Sequence, residues 1–117
     1  MRVVRLTISL ILAALLLLAQ GGPGFRNRRT FDEHYAKHGR EFGNISQQEY
    51  LRLAQTLRDT PAGGPVLEAD KPGGVVTKFD RRNGYFVAYN ADRTIRTFFI
   101  PNDGERYFRR QANRPND

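Results

Sequence analysis

The chain has 117 residues, with 19 lysines and arginines against 12 aspartates and glutamates, and it contains no cysteine. The missing thiols exclude disulfide staples, thiolate nucleophiles and most zinc-site patterns, so a small domain must be held by its apolar core. The net charge of +7 points to anionic partners, and nucleic acid, an anionic membrane surface and acidic polysaccharide all fit it.

Arg2 and Arg5 precede an uncharged apolar run, residues 6–18, that ends at Ala19, Gln20 and Gly21, the small-residue spacing a signal peptidase accepts. Residues 1–22 are therefore expected to be a cleavable secretory signal peptide. That implies a secreted or periplasmic location with no stable membrane association after cleavage. An uncleaved anchor is the competing reading, but the run is shorter than the roughly 20 residues that span a bilayer. Loss of Arg2 and Arg5 leaves 17 basic against 12 acidic side chains, a mature net charge of +5. The remaining length suits one small domain, expected as a monomer: a basic flexible lead-in over 23–29, the domain over 30–110 and a polar tail over 111–117.

Thr30 followed three residues later by Glu33 has the form of a capping box, so a first helix is expected to begin near Phe31. Phe31, Tyr35, His38 and Phe42 then recur at helical spacing, which turns His38 toward the body of the protein, with His34 beside the same stripe. Gly39 and Gly43 are both candidate C-terminal stops, and either leaves Lys37 and His38 in or near the last turn. Ser46 and Glu49 form a second box ahead of Tyr50, Leu51, Leu53, Ala54 and Leu57, the apolar face of a second helix running to about Arg58. Residues 59–74 hold three prolines and four glycines and break regular structure, although Val66 and Leu67 suit a short edge strand.

Residues 75–79, 85–89, 94–100 and 106–109 are rich in β-branched and aromatic side chains and are separated by turn signals: Asn83-Gly84, Ala91-Asp92-Arg93 and 101–104. They predict an antiparallel meander in which Ile95, Thr97 and Phe99 share one face of the third strand. The fold expected is α+β, two N-terminal helices packed on one face of a three- to four-stranded antiparallel sheet, with the other face open.

Lys37-His38 is the sharpest chemical signal. Histidine carries protons near neutral pH, and an adjacent cation suits a phosphodiester. The plain alternative is a histidine hydrogen-bonded at the core edge. His34 and His38, four apart on a helix, would also suit a metal with Glu41 as third ligand, but no H-E-x-x-H spacing is present, so no metal and no cofactor is expected and His34 stands as a secondary site candidate. Arg81 and Arg82 on one turn and Arg96 on the third strand are candidate phosphate ligands, against the alternative of solvated surface arginines. Thr97 offers a hydroxyl, and Tyr85, Tyr89 and Tyr107 offer stacking faces or a phenol, although strand aromatics also serve packing.

The segment Lys37-His38-Gly39-Arg40-Glu41-Phe42-Gly43, with the late strand Ile95-Arg96-Thr97-Phe98-Phe99-Ile100-Pro101, resembles the barnase, EndoU, colicin D and RelE superfamily of small metal-independent ribonucleases and toxins, above all its colicin-D-like and phage or polymorphic-toxin members with a KHG-type first helix. The resemblance implies His38 as general acid/base, Lys37 as a phosphate-stabilising cation, Thr97 as the late-strand hydroxyl with Arg96 its basic neighbour, and Tyr107 as a looser match on the last strand. The implied reaction is attack of a ribose 2′-hydroxyl on its own 3′-phosphate, giving 2′,3′-cyclic phosphate and 5′-hydroxyl ends without a metal. It also implies an RNA substrate and an acidic barstar-like inhibitor or immunity protein, and a secreted ribonuclease in the style of barnase suits the signal peptide. The alternative of another class is a non-catalytic extracytoplasmic module binding an anionic partner, nucleic acid or acidic protein, on its basic sheet.

Overall fold

The computed structural model describes residues 21–114, so all but the last two residues of the expected signal peptide and the last three of the polar tail lie outside the described residues. The elements are α1 (Arg28–His38), a 3-10 turn (Gly39–Phe42), α2 (Gln47–Asp59), β1 (Val66–Asp70), β2 (Val76–Asp80), β3 (Tyr85–Tyr89), β4 (Ile95–Phe99) and α3 (Glu105–Ala112). The strands form one antiparallel sheet in the order β1-β2-β3-β4, an α+β architecture.

Helix α2 begins as its sequence dictates, with the Ser46 hydroxyl accepting from the Glu49 amide at 3.1 Å. Helix α1 begins earlier than the Thr30 box implied. Asn27 is the N-cap, its side-chain oxygen accepting from the Thr30 amide at 2.8 Å. Asparagine caps better than threonine, and the added turn gains the Arg28–Asp32 and Arg29–Glu33 pairs at i,i+4. Glu33 is thus held by Arg29 instead of closing a box. Nor does residue 24 begin a free arm: the Gly24 carbonyl accepts from the Ile95 amide at 2.9 Å, and Phe25 bridges Ile95 in parallel, covering the start of the β4 edge.

The fourth predicted strand is the main correction. Residues 106–109 lie inside α3, so Tyr107 sits on a helix. Glu105 takes Arg109 one turn on at 2.5 Å, and Asp103 takes Arg110 at 2.6 Å. Those pairs support a helix, and Phe108 buries its ring against Phe79, Phe86 and Ala88. The strand expected at 66–67 is real and longer, running to Asp70 because each of its five residues finds a partner on β2.

The two sheet faces carry different cores. On one, Tyr50, Ala54 and Leu57 of α2 pack on Val66, Val87, Tyr89 and Phe98. The other face, expected open, is covered at one end by α3 and at the other forms the floor of a groove. The register explains where the cover stops: Leu67, Phe79, Phe86 and Phe99 are consecutive cross-strand partners and form a bulky row beneath α3, whereas Ala69, Thr77, Ala88 and Thr97 form the next row, of small side chains. A register shift at Ala88/Tyr89 breaks the expected alternation of β4, so Ile95 joins Phe98 in the first core while Thr97 and Phe99 stay on the second face.

Two buried cations tie the layers together. Arg58, 1% exposed, donates to the carbonyls of Gly21, Pro23 and Arg93 and to the Asp59 carboxylate. Lys78, 4% exposed, donates to the Arg58 and Thr60 carbonyls at 2.7 Å each, which satisfies the end of α2 and places a positive charge at its negative pole. Removing the guanidinium in Arg58→Met strands three carbonyls, and a loss of about 3 kcal/mol or more is expected in urea unfolding, with amide exchange accelerating first around residues 93–95.

Glu105 is shared by Arg81 and Arg109, whose hydrogen bonds hold its carboxyl at about 2 against an ordinary 4.5. A depressed carboxyl contributes its stability in full above the unfolded value near 4.5 and loses it as the pH falls toward 2. Glu105→Gln is therefore expected to melt below the wild type at pH 7 and to converge with it near pH 2, as thermal scans across that range will show.

Candidate active site

Tyr35 and Phe42 flank the Lys37-His38 segment and anchor it. Both rings lie against Tyr50, with centroids 5.7 and 5.5 Å away, and the Tyr35 hydroxyl donates to the Ile45 carbonyl at 2.5 Å. Between them α1 ends at His38, and the chain tightens into the 3-10 turn, which closes at Gly43 with φ +90°. Gly39 is not the left-handed stop its position suggested: its φ is −53°. It is glycine because a Cβ there would lie 2.7 Å from two ring carbons of Tyr35.

This turn brings Glu41 back toward the helix it has just left. One carboxylate oxygen lies 2.7 Å from His38 Nδ1, and the other accepts from the Ile100 amide, just past β4, at 2.8 Å. Glu41 therefore pins the His38 ring and the end of β4 together. With the proton on Nδ1 donated to carboxylate, neutral His38 keeps its lone pair on Nε2, the arrangement of a general base oriented by an acid. The ring stacks on Phe99 at 5.1 Å between centroids, and the side chain is 14% exposed.

His34 is oriented in a similar way, its Nδ1 2.9 Å from the Thr30 carbonyl, which again leaves Nε2 for other work. The two imidazoles are 6.2 Å apart between centroids. They line a recess of about 460 Å³ together with Glu33, Lys37, Thr97, Phe99 and Tyr107. Three elements thus converge there: α1 supplies the histidines and the lysine, β4 the threonine, and α3 the tyrosine. Burial raises the Tyr107 phenol, so at neutral pH it is a hydrogen-bond donor.

Among the sequence candidates, Lys37, His38, Thr97, Tyr107 and His34 meet in this recess. Arg96 adjoins it, lining with Thr97 a larger groove of about 600 Å³ over the small-residue row of the second sheet face. Arg81 and Arg82 line neither cavity. Arg81 is forked onto Glu105 at 2.6 and 3.2 Å, and Arg82 onto Asp80 at 3.0 and 2.9 Å, so both turn arginines are spent on carboxylates. Glu41, entertained as a metal ligand, has both oxygens engaged by His38 and Ile100, and among the described residues no three histidine or carboxylate side chains gather as a metal site. Its orienting role was visible only as the three-residue spacing from His38, which a sequence offers too often to be informative.

The chain matches no protein-family model and no curated protein. The chemistry must be argued from the site's own geometry.

Glu41→Ala frees Nδ1 and removes the reason for a single tautomer. Above the imidazole titration, long-range proton–nitrogen correlation spectra are expected to show His38 of the wild type as the Nδ1–H form. In the variant the Nε2–H form should appear, with His34 unchanged.

Proposed function

We propose that this protein is a secreted, metal-independent endoribonuclease that cuts RNA by 2′-hydroxyl transesterification, leaving 2′,3′-cyclic phosphate and 5′-hydroxyl ends. The observation that carries the reading is the meeting of an oriented histidine, a second histidine, an exposed lysine and two hydroxyl donors around one recess. The resemblance of the 37–43 and 95–101 segments to the barnase, EndoU, colicin D and RelE superfamily agrees with it, and an acidic inhibitor or immunity protein in the producing cell belongs to the same proposal, as does a role as a toxin.

In this reading His38 Nε2 takes the proton of the ribose 2′-hydroxyl, whose oxygen attacks the adjacent phosphorus. The bond from phosphorus to the 5′-oxygen breaks, and that oxygen leaves with a proton from His34 in its imidazolium form. Lys37, the Thr97 hydroxyl and the Tyr107 phenol offset the charge that grows on the non-bridging oxygens. Solvent then resets the two histidines.

Purified mature protein is expected to cleave RNA in the presence of a chelator, with cyclic-phosphate ends, and His38→Ala should lose about a thousandfold in rate while staying folded. A uridine 3′-aryl phosphate, whose leaving group needs no proton, should restore turnover to His34→Ala and not to His38→Ala. Full activity in His38→Ala, or an absolute need for a divalent ion, would reject the mechanism.

A second reading, a non-catalytic module that holds an anionic partner outside the cytoplasm, is favoured by the basic groove beside the recess. It predicts salt-sensitive binding with no turnover of any RNA.

A further inference from the structure

The distribution of unpaired charge is uneven. Most lysines and arginines of the described residues are in ion pairs, on helix surfaces, at turns or, for Arg58 and Lys78, buried between the layers. Seven are not, and five of these, Arg26, Lys37, Lys71, Arg96 and Arg114, line the groove or the recess that joins it. Arg40 and Arg106 are the other two. Among the described residues no carboxylate lines the larger groove. Arg96 is held there without being neutralised, since its Nη1 donates to the amide oxygen of Asn90 at 3.1 Å.

The shape follows from the register. The row Ala69, Thr77, Ala88 and Thr97 leaves a shallow floor where the neighbouring row of phenylalanines would have filled the space. Tyr107 and Gln111 of α3, with Arg114 just past its end, line the groove too, and the Gln111 amide offers both donors and an acceptor. Thr97 and Tyr107 line groove and recess alike, so the two are continuous. A volume of about 600 Å³ suits one or two unstacked nucleotides and is too small for a duplex.

We infer that this groove binds the nucleotides flanking the cleaved bond in single-stranded RNA, with Arg26, Lys71, Arg96 and Arg114 as ligands of the neighbouring phosphates, so that a polynucleotide is a better substrate than a dinucleotide. The inference rests on the ribonuclease reading of the recess. It adds that affinity is set on the sheet face, away from the histidines, and that short substrates forfeit it.

The test is binding of an uncleavable 2′-O-methyl RNA octamer, followed by fluorescence anisotropy across a salt series. Each single change, Arg26→Gln, Lys71→Gln, Arg96→Gln or Arg114→Gln, is expected to flatten the logarithmic salt slope by about 0.7, and the quadruple variant should bind about a hundredfold more weakly at low salt. Arg52→Gln, which removes an equal charge from the Glu49 pair, should leave binding unchanged. Wild type should also cut an octamer at least tenfold more efficiently than a dinucleotide, an advantage the quadruple variant loses. If the four variants bind like Arg52→Gln, or if an oligoglutamate of equal length binds as tightly as the RNA, the inference falls. Octamer binding through these four residues without cleavage would keep the groove and reject the chemistry; cleavage indifferent to them would do the reverse.

Discussion

The molecule is organised around Tyr50. Its side chain is fully buried, and its hydroxyl donates to the Phe98 carbonyl at 2.5 Å, fastening α2 to the strand that carries Thr97. Burial also drives that phenol well above its ordinary range, so the donor stays protonated. Phe25, Tyr35, Phe42 and Phe98 surround the ring, drawn from the N-terminal segment, α1, the turn after it and β4. Once Tyr35 and Phe42 are committed to this knot, His38, three residues after one and four before the other, is carried onto Phe99 at the sheet edge. The position of the histidine is thus a by-product of aromatic packing, and Glu41 only has to fix its rotation.

Charge is divided along similarly local lines. Arginines on α1, α2 and the β2–β3 turn are closed off by carboxylates a few residues away, and Arg81 by Glu105 of α3. Exposed pairs of this kind add little to stability, with a median near zero to about 1 kcal/mol. They do remove competing sites for a polyanion. A basic protein whose surplus charge is gathered into one groove is selective about where a phosphate chain lies, whereas an evenly basic one only attracts it.

Much of this was legible in the residues. Ser46 and Glu49 gave the start of α2, the Tyr85–Tyr89 strand was read to the residue, and the helical stripe placed His38 inward. The last element was not, because Arg106-Tyr107-Phe108-Arg109 has the aromatic content of a strand and only Glu105 with Arg109, one turn apart, argues otherwise. Arg58 and Lys78 escaped notice for a different reason: a polar residue on a helix or strand is read as exposed, and only the packed structure supplies the carbonyls that make burial tolerable. The groove floor was hidden too. A row of small side chains exists only once the strand register is set.

Arg58 does for this domain what a cystine does in many small proteins, joining the segment near residue 21, the end of α2 and the β3–β4 loop through one side chain. The difference is chemical. A guanidinium cross-link forms at once on folding and answers to no thiol potential, and the chain has no cysteine to supply a second lock. The fold therefore has no oxidative checkpoint and assembles alike in a reducing or an oxidising compartment.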